Sequence, residues 1–412
     1  MKPLLGFIFV LFASLFISCN NEASGRLIIW TDRPEFAIYT EYFNSSQDRF
    51  KAEVRYFDSP ARRLSETGEI PDIVVASWLN SASTRNFFLP LNDYISRSGL
   101  DRSAFYPQLL DLGRINNSQY LLPVSFNLPS IVFARDLNNV SLNPFIVELE
   151  EIRDRAKNFD IEENGAYTRI GLSLLYNDEF LYITSDLFGA GFREASPLAW
   201  NTLALESAIS WLKDWFEDGN SSIEMEDDFA FKYFHDPPDR LVNSGRILYT
   251  YMDSSEFFTF PEERRMNLNF RWLGANQMIP LIDGGVYYGI HRRTGARRGA
   301  EAFTSWFFSE ETQRQLLEVS NNMRLNELYF GIAGGFSAMR TVNERIFPQF
   351  YPSLLGHMPT ENYLSPPNIL PRNWIAIKER VAIPYLQERI RESADIRPLE
   401  TRIGDWHRLN WE

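Results

Sequence analysis

The sequence predicts an α/β fold with two lobes, from chain length, apolar content and the alternation of strand and helix patterns. The 412 residues are more than one ordinary core needs. With 44% hydrophobic and 15% aromatic residues, the chain can fill two cores and leave rings to line a cleft. The alternation recurs on both sides of Gln119–Leu137, QYLLPVSFNLPSIVFARDL. We therefore predict that the chain passes from one lobe to the other in this stretch.

The first part of the chain reads as strand, helix, strand, helix, strand. Arg26–Ile29 is a short apolar run, and aromatic residues follow it at near-helical spacing after Pro34. Lys51–Phe57 predicts a second strand and Ser59–Thr67 a short helix. Pro71–Trp78, PDIVVASW, has the continuous apolar character of a strand in a covered parallel sheet.

The same alternation returns beyond Leu137, which indicates a second α/β unit. The predicted helices and strands there are a helix at 144–158, a strand at 169–175, helices at 178–188 and 201–217, a strand at 246–252, a strand-like run at 281–290 and a helix at 300–319. Two glycines interrupt the run Leu281–Ile290, LIDGGVYYGI, and suggest either close backbone approach or a turn.

The charge balance argues against nucleic acid as a partner. The formal net charge is -13, from 41 basic and 54 acidic residues, and a phosphate backbone needs a clustered cationic surface. The basic run His291–Arg298, HRRTGARR, is the exception, and a solvated loop is favoured there over a docking patch.

The amino terminus has the pattern of a secretory signal. Lys2 precedes an apolar run from Pro3 to Ile17, too short for a membrane span, so residues 1–18 are expected to be removed. The sequence FISC, ending at Cys19, resembles a bacterial lipobox, although Phe16 stands where that motif prefers Leu. The resemblance implies lipidation of Cys19 and a flexible tether over 19–25; the alternative is an incidental cysteine in an ordinary signal.

Motifs for catalysis, metals and cofactors are missing from the sequence. The 4 histidines are far apart, without zinc-ligand spacing. GxSxG and Walker motifs do not occur, and Gly189-Ala-Gly lacks the rest of a dinucleotide fingerprint. We therefore expect no metal, no cofactor and no enzymatic activity. A pair of carboxylates in a cleft, as in a glycosidase, would leave no linear signature.

Several weak motifs, taken in their order, resemble the extracellular solute-binding proteins of ABC importers, in the family that includes maltose-binding protein. The motifs are the lipobox, PDIV, LPLNDYI, LLPVSFNLPSIVFARDL, LIDGGVYYGI and FFSEETQRQLL. The resemblance implies a type II periplasmic-binding-protein fold, with a ligand cleft between the lobes and several hinge crossings. The implied lobes are 26–127 plus 287–334 and 128–286 plus 335–412, with crossings near 127–130, 284–287 and 334–337.

The resemblance and the strand ends together give six candidate ligand-binding residues. Asn127 falls where maltose-binding protein has a ligand-contacting Glu, so it would hold a hydroxyl by a neutral hydrogen bond. Trp374 resembles the stacking tryptophan of the family, with a core ring as the alternative. The other candidates follow predicted strands, where ligands of open α/β sheets gather: Trp30, Asp32, Arg33 and Trp78. For these, core packing or helix capping is the competing interpretation.

The main functional hypothesis is a receptor on the outer side of a bacterial membrane, anchored by lipid at Cys19. It would capture a sugar or oligosaccharide as a monomer and deliver it to an ABC permease by hinge closure. Two alternatives stay open: a surface glycosidase or lyase, and an adhesin or structural lipoprotein that has lost its ligand. The neutral Asn127 gives the last alternative some weight.

Overall fold

The computed structural model describes residues 25–66, 68–136, 144–217, 222–358 and 360–410. The predicted signal peptide over 1–18, Cys19 and the predicted tether up to residue 24 lie outside the described residues; Gly25 opens the first strand. The strands are β1 Gly25–Thr31, β2 Phe50–Tyr56, β3 Ile73–Ser77, β4 Arg114–Ile115, β5 Ser118–Gln119, β6 Leu122–Phe126, β7 Pro129–Ala134, β8 Ile146–Glu148, β9 Ile161–Glu163, β10 Ala166–Arg169, β11 Thr250–Asp253, β12 Leu268–Gly274, β13 Ile279–Pro280, β14 Val286–Ile290, β15 Phe336–Ser337 and β16 Leu364–Ser365.

The helices occupy the connections between these strands and the carboxyl-terminal part of the chain. They are α1 Phe36–Ser46, α2 Pro60–Glu66, α3 Asn92–Ser98, α4 Pro107–Leu112, α5 Leu149–Lys157, α6 Asp178–Leu187, α7 Thr202–Glu217, α8 Ile223–Tyr233, α9 Pro238–Asn243, α10 Ser254–Thr259, α11 Glu262–Arg265, α12 Arg297–Phe307, α13 Glu310–Asn322, α14 Arg340–Arg345, α15 Phe347–Phe350, α16 Trp374–Ile377, α17 Ile383–Ile390 and α18 Leu399–Asn410. A π-helical segment, Lys378–Ala382, joins α16 to α17. Short 3-10 turns lie at Arg85–Phe87, Arg102–Ala104, Leu325–Glu327, Pro352–Leu354 and Glu361–Tyr363.

The first lobe is built on a six-stranded sheet of order β15-β6-β14-β3-β1-β2. β2 and β3 run parallel to β1, as the predicted strand–helix order requires, whereas β14, β6 and β15 join through antiparallel pairs. Every residue of β3 is buried, because helices or loops cover both faces of this strand. Phe36 of α1 packs on Phe307 of α12 at 5.5 Å between ring centroids.

The second lobe is built on a four-stranded sheet of order β11-β7-β12-β8. β7 pairs antiparallel with β11 and β12, and β8 runs parallel to β12. A core of leucine, isoleucine and aromatic side chains from α6, α7 and α17 covers this sheet. The predicted strand at 169–175 is reduced to an isolated bridge between Ile170 and Ile247, next to the β9–β10 hairpin. Residues 171–175 form no strand.

The chain passes between the two sheets at two places that position the site. β6 ends at Phe126 in the first sheet and β7 begins at Pro129 in the second. The return passage leads from β13 to β14 through Leu281–Gly285. We call 127–128 the first crossing and 282–285 the second crossing.

The third predicted passage, at 334–337, does not lead into the second lobe at these residues. Phe336 and Ser337 form β15, which pairs with Phe126 and Ser125 of β6 in the first sheet. Helices α14 and α15 then pack on α13 of the same lobe. The sequence predicts that the segment 335–412 belongs to the second lobe. Its start belongs to the first lobe instead, because β15 forms the edge of the first sheet. The remaining lobe boundaries stay a prediction.

The predicted helix at 300–319 is two helices, α12 and α13. Ser309 separates them because its Oγ accepts a hydrogen bond from the backbone N–H of Thr312 at 3.1 Å and caps α13. The predicted helix at 144–158 begins only at Leu149, since Ile146–Glu148 pairs with β12 as β8.

An aromatic cluster joins the two lobes behind the crossings. Trp272 of β12, in the second sheet, contacts Phe336 of β15, in the first, at 5.8 Å between centroids. Phe258 of α10 stacks on Phe330 at 4.9 Å and also contacts Tyr351. These five rings are buried, and we call them the shared aromatic cluster.

Candidate ligand-binding site

Asn127 lies in the first crossing, and its half-buried side chain makes two hydrogen bonds within the protein. Its amide Nδ2 donates to the carbonyl oxygen of Gly334 at 2.9 Å, and its Oδ1 accepts from the Ser254 hydroxyl at 2.7 Å. Its carbonyl oxygen accepts from the N–H of Ile282 at 2.9 Å. Asn127 therefore ties both crossings to α10 and to the segment before β15.

The second crossing makes close contacts with the first lobe. The Ser77 hydroxyl at the end of β3 donates to the carbonyl oxygen of Gly284 at 2.7 Å. Gly284 has φ +80, and a Cβ atom there would lie 3.0 Å from the indole of Trp78. Gly284 thus serves close approach, one of the interpretations that the sequence allowed, whereas Gly285 makes only an ordinary van der Waals contact.

Asp283 connects the second crossing to the second lobe. Its carboxylate accepts hydrogen bonds from the indole N–H of Trp374 and from Lys378 Nζ, the latter at 3.2 Å. Lys378 also donates to Glu179 at 3.0 Å. Burial disfavours the charge of Lys378, but Asp283 and Glu179 outweigh it and raise the pKa of the ammonium group. Lys378 opens the π-helical segment, a feature frequent at functional sites.

Asp32 and Arg33 form a half-buried polar group at the end of β1. Asp32 Oδ2 accepts from the backbone N–H of Ser77 at 3.1 Å, and Arg33 donates to the Ser77 hydroxyl at 2.6 Å. Arg33 Nε lies 3.1 Å from Asp32 Oδ1. Burial raises the pKa of Asp32, against the opposing effect of Arg33. Glu35 is buried beside them, and burial raises its pKa too.

Two of the candidate tryptophans are core residues in this structure. Trp30 is 0% exposed and contacts Phe57 edge-on at 5.0 Å between centroids. Trp374 is also 0% exposed and packs on Phe192 at 5.1 Å and on Tyr182 at 6.0 Å. Neither ring has a free face, which favours the core interpretation over ligand stacking for both.

Trp78 is half-buried and lies between the lobes. Its φ of +64 is unusual for a bulky residue and costs free energy that surrounding contacts must offset. The ring borders a small cavity that also involves Gly284 of the second crossing and, from the second lobe, Asn368 and Leu370. Of the three candidate tryptophans, only Trp78 presents surface at the lobe boundary.

A cavity of about 500 Å³ lies in the second lobe. The ends of β11, the start of α6 and the loop before α9 form its walls, which combine aromatic rings with carboxyl groups. The residues that line it are Leu172, Ser173, Tyr176, Asn177, Asp178, Glu179, Phe234, Asp236, Pro238, Leu241, Ile247, Tyr249, Thr250, Tyr251, Asp253 and Glu256. We call it the acidic cavity.

The acidic cavity adjoins both crossings. Asp253 ends β11 opposite Pro129, and the next residue, Ser254, donates to Asn127 and accepts from the N–H of Leu128 at 3.1 Å. On its other side, Glu179 reaches the second crossing through Lys378 and Asp283. A ligand in this cavity would therefore contact the walls that meet the hinge.

Three carboxyl groups of the acidic cavity, those of Asp178, Glu179 and Glu256, are destabilised as anions. Glu256 is open to solvent but stands in the concave wall, and desolvation together with Asp253 raises its pKa to about 7. Desolvation also raises the pKa values of Asp178 and Glu179. The pKa of Tyr251 is raised well above its usual range by burial and by the charges of surrounding carboxylates. An uncharged or cationic ligand suits such a wall better than an anion does.

Our sequence-based reasoning missed this cavity. The side chains of Asn177 and Asp253 accept hydrogen bonds from the N–H groups of Phe180 and Glu256, and so cap helices α6 and α10. The local sequence alone therefore predicts helix caps at these two positions rather than ligand contacts. The structure brings Asp32, Arg33, Trp78 and Asn127 to the crossings, but it places none of them in the cavity wall. Among the described residues, no group of histidine, cysteine and acidic side chains is arranged to hold a metal ion. In the same part of the chain, no helix combines the length and apolarity needed to traverse a bilayer.

No protein-family model matches the sequence, and no curated protein matches it significantly. Solved structures do match. The cyclic α-maltosyl-1,6-maltose binding protein from Arthrobacter globiformis matches with a TM-score of 0.64 and 14% identity, over 92% of this chain and 97% of that one. The sugar-binding protein MalE from Xanthomonas citri has a TM-score of 0.64 and 10% identity, over 93% and 96% of the two chains.

A third match is an ABC substrate-binding protein from Listeria monocytogenes in complex with cycloalternan, with a TM-score of 0.60 and 14% identity, over 92% of this chain and 96% of that one. The matched structures are of binding proteins rather than enzymes, and at these identities they establish the fold. The prediction of a two-lobed α/β periplasmic-binding-protein fold is thereby confirmed: this chain folds as the sugar-binding substrate-binding proteins of ABC transporters do.

Proposed function

We propose that the protein captures a sugar or oligosaccharide outside the cytoplasm and delivers it to an ABC permease. The observation that carries this proposal is the acidic cavity, which lies against both crossings of a fold shared with sugar-binding proteins. Sugar rings have apolar faces and peripheral hydroxyl groups. Aromatic rings such as Tyr176 and Phe234 suit the former, and carboxylates such as Asp253 suit the latter.

Hinge closure would occur about the two crossings. They are joined by the hydrogen bond from Ile282 N–H to the Asn127 carbonyl oxygen, so they move as a pair. A ligand that touches the acidic cavity and the opposite lobe stabilises the closed form and shifts the population toward it. Asp32, Arg33 and Trp78 are the proposed contacts from the first lobe, and Asn127 positions the hinge between them.

The lipid anchor at Cys19 is part of this proposal and rests on the lipobox-like sequence alone. Cleavage after residue 18 and lipidation of Cys19 would hold the protein at the membrane beside its permease. In cells, Cys19→Ser is expected to move the protein from the membrane fraction to the soluble fraction. Retention of that variant in the membrane fraction would contradict the anchor but not ligand capture.

The function is tested by titrating the mature chain with sugars. Calorimetry and intrinsic fluorescence with maltotriose, mannotriose and cyclic glucans should identify a saturable ligand, and solution scattering should show compaction on binding. A ligand at a hundred times its Kd would add about 2.7 kcal/mol of apparent stability. Tyr251→Ala is expected to weaken binding, since it removes a wall of the cavity, whereas the exposed Tyr56→Ala serves as the matched control.

Two outcomes would contradict the proposal. If a bound oligosaccharide is cleaved during the titration, the protein is an enzyme, since a receptor returns its ligand unchanged. If no sugar produces heat, fluorescence change or compaction, the fold is present without sugar capture, as in the ligandless alternative.

A further inference from the structure

We propose that the ligand of the acidic cavity is a sugar that carries positively charged amino groups. This inference rests on the proposed function and narrows it to a substrate class. It follows from the charge of the cavity wall, in which only Glu179 has a cationic partner among the described residues, and from the rings that accompany the carboxyl groups.

The described wall of the acidic cavity carries five carboxyl groups and neither Lys nor Arg. The five residues are Asp178, Glu179, Asp236, Asp253 and Glu256, and they come from three separate parts of the chain. For a neutral sugar, one or two carboxylates suffice to accept hydroxyl hydrogen bonds. Glu179 is paired with Lys378, and the other four groups, around one cavity of about 500 Å³, repel each other when charged and favour a cation between them.

Two cations outside the lining, Lys378 and Arg391, are already held in ion pairs. Lys378 is committed to Glu179 and Asp283. Arg391 pairs with Asp227, which in turn accepts from the Tyr176 hydroxyl at 2.8 Å. Neither cation is left to neutralise the rest of the wall.

Glu256 has no compensating partner in the described structure. Its carboxylate has neither an ion pair nor a side-chain hydrogen bond there, and the like-charged Asp253 acts on it. Asp253 accepts from the Ser255 hydroxyl at 2.6 Å and from the Glu256 N–H at 2.9 Å, both from neutral donors. Asp178 accepts from Gln387 at 2.7 Å, also neutral. An ammonium group of the ligand would supply the missing positive charge.

Aromatic rings stand beside these carboxyl groups. Tyr251 lines the cavity together with Asp253, Glu179 and Glu256, and the charges of these three and of Asp283 all act on its hydroxyl. Phe234 and Tyr176 contact each other edge-on at 5.5 Å and form another wall. Rings next to carboxylates suit a ligand with both apolar faces and cationic groups, since the ring face attracts cations as well.

A bare metal ion does not satisfy the same wall. In the described parts of the chain, no set of acidic, histidine or cysteine side chains converges closely enough to coordinate one ion. The carboxyl groups are spread over the cavity instead, which fits amino groups distributed over a sugar.

Matched ligand pairs test the proposal. Maltotriose and mannotriose would each be compared with the analogue in which one 6-hydroxyl is replaced by a primary amine, by calorimetry at pH 7.5. We expect the amine to bind at least tenfold more tightly in one pair, because a charge-assisted hydrogen bond replaces a neutral one. This advantage should shrink when salt is raised, since charge attraction is screened.

Glu256→Gln locates the effect within the cavity. The substitution is expected to lower the ratio of amine affinity to neutral-sugar affinity by about tenfold. Glu163→Gln, in the exposed β9 strand, is the matched control and should leave this ratio unchanged. An equal effect of the two variants would show that the amine is held by the general negative charge of the surface, and would overturn the proposal.

The remaining outcomes separate this inference from the proposed function. If the neutral sugars bind as tightly as the amines, or more tightly, the amino-sugar inference is wrong and sugar capture stands. If neither the neutral sugars nor the amines bind, both proposals are wrong.

Discussion

Glu226 is a buried acid beside the acidic cavity, and its surroundings favour the protonated form. It is 2% exposed, and it accepts hydrogen bonds from the Ser173 hydroxyl and from the N–H of Leu175 at 3.0 Å. Desolvation outweighs these bonds and raises its pKa to about 7, from an ordinary value of 4.5. The folded state therefore holds a proton that the unfolded chain releases between these two values.

Stability should consequently fall as pH rises through the pKa of Glu226. The contribution is fully present below pH 4.5 and is lost above about 7, because the folded state binds more protons in that interval. From pH 5 to pH 8 we expect this group to lower the free energy of unfolding by about 1–3 kcal/mol. Glu226→Gln keeps the acceptor oxygen and removes the titration, so urea unfolding at both pH values should show a smaller loss. Equal pH slopes in the variant and the parent would contradict this account.

A buried ion pair connects the second crossing to the π-helical segment. Asp283 in the crossing and Lys378 in the π-helical segment are 4% and 3% exposed in their side chains, so their ion pair is buried. Trp374 adds a hydrogen bond to the same carboxylate. A buried pair of this kind holds two elements in a defined position, because either charge left alone would be strongly destabilised.

Removing one partner of this pair should be costly. Lys378→Met leaves Asp283 buried without its cation and is expected to lower the free energy of unfolding by about 3–5 kcal/mol. In the Lys378→Met variant, a second substitution, Asp283→Asn, should recover part of that loss of stability. Lys232→Met is the control, since Lys232 pairs with Asp228 at the surface and should cost at most about 1 kcal/mol. A loss below that of the control would contradict the structural role of the buried pair.

The shared aromatic cluster packs rings from both lobes into one core. Phe336 of β15 contacts rings from both lobes, with centroids 5.7 Å from Phe126 and 5.8 Å from Trp272. The core behind the crossings is thus continuous across the two sheets. Because rings from both lobes are buried against one another, we expect the lobes to unfold together.

Phe336→Ala tests this continuity. The truncation opens a void in a fully buried site and should lower the free energy of unfolding by about 3–5 kcal/mol. Fluorescence and circular dichroism should report one coincident transition in the parent. Phe231→Ala, at a ring that is 88% exposed, is the matched control and should have little effect. Separate transitions for the two lobes in the parent would show that the cluster does not couple them.

Much of the fold could be predicted from local pattern. The strands β1 to β3 and the helices α1, α6 and α7 follow apolar periodicity closely, because each buries one face or both within a short stretch of chain. Pairing between distant strands could not be predicted in this way. β8 and β15 are too short to carry a periodic signal, and partners more than a hundred residues away decide their place.

The sequence by itself determined the α/β alternation, the passage between lobes after Phe126 and the polar residues near the crossings. Only the tertiary structure decided that Trp30 and Trp374 are core rings, that Asn127 is used by the hinge, and that the acidic cavity exists. The physical reason is that burial and charge repulsion depend on which distant side chains meet. Asp178, Asp236 and Glu256 carry no shared linear motif, and they become one wall only when α6, α9 and α10 pack around β11.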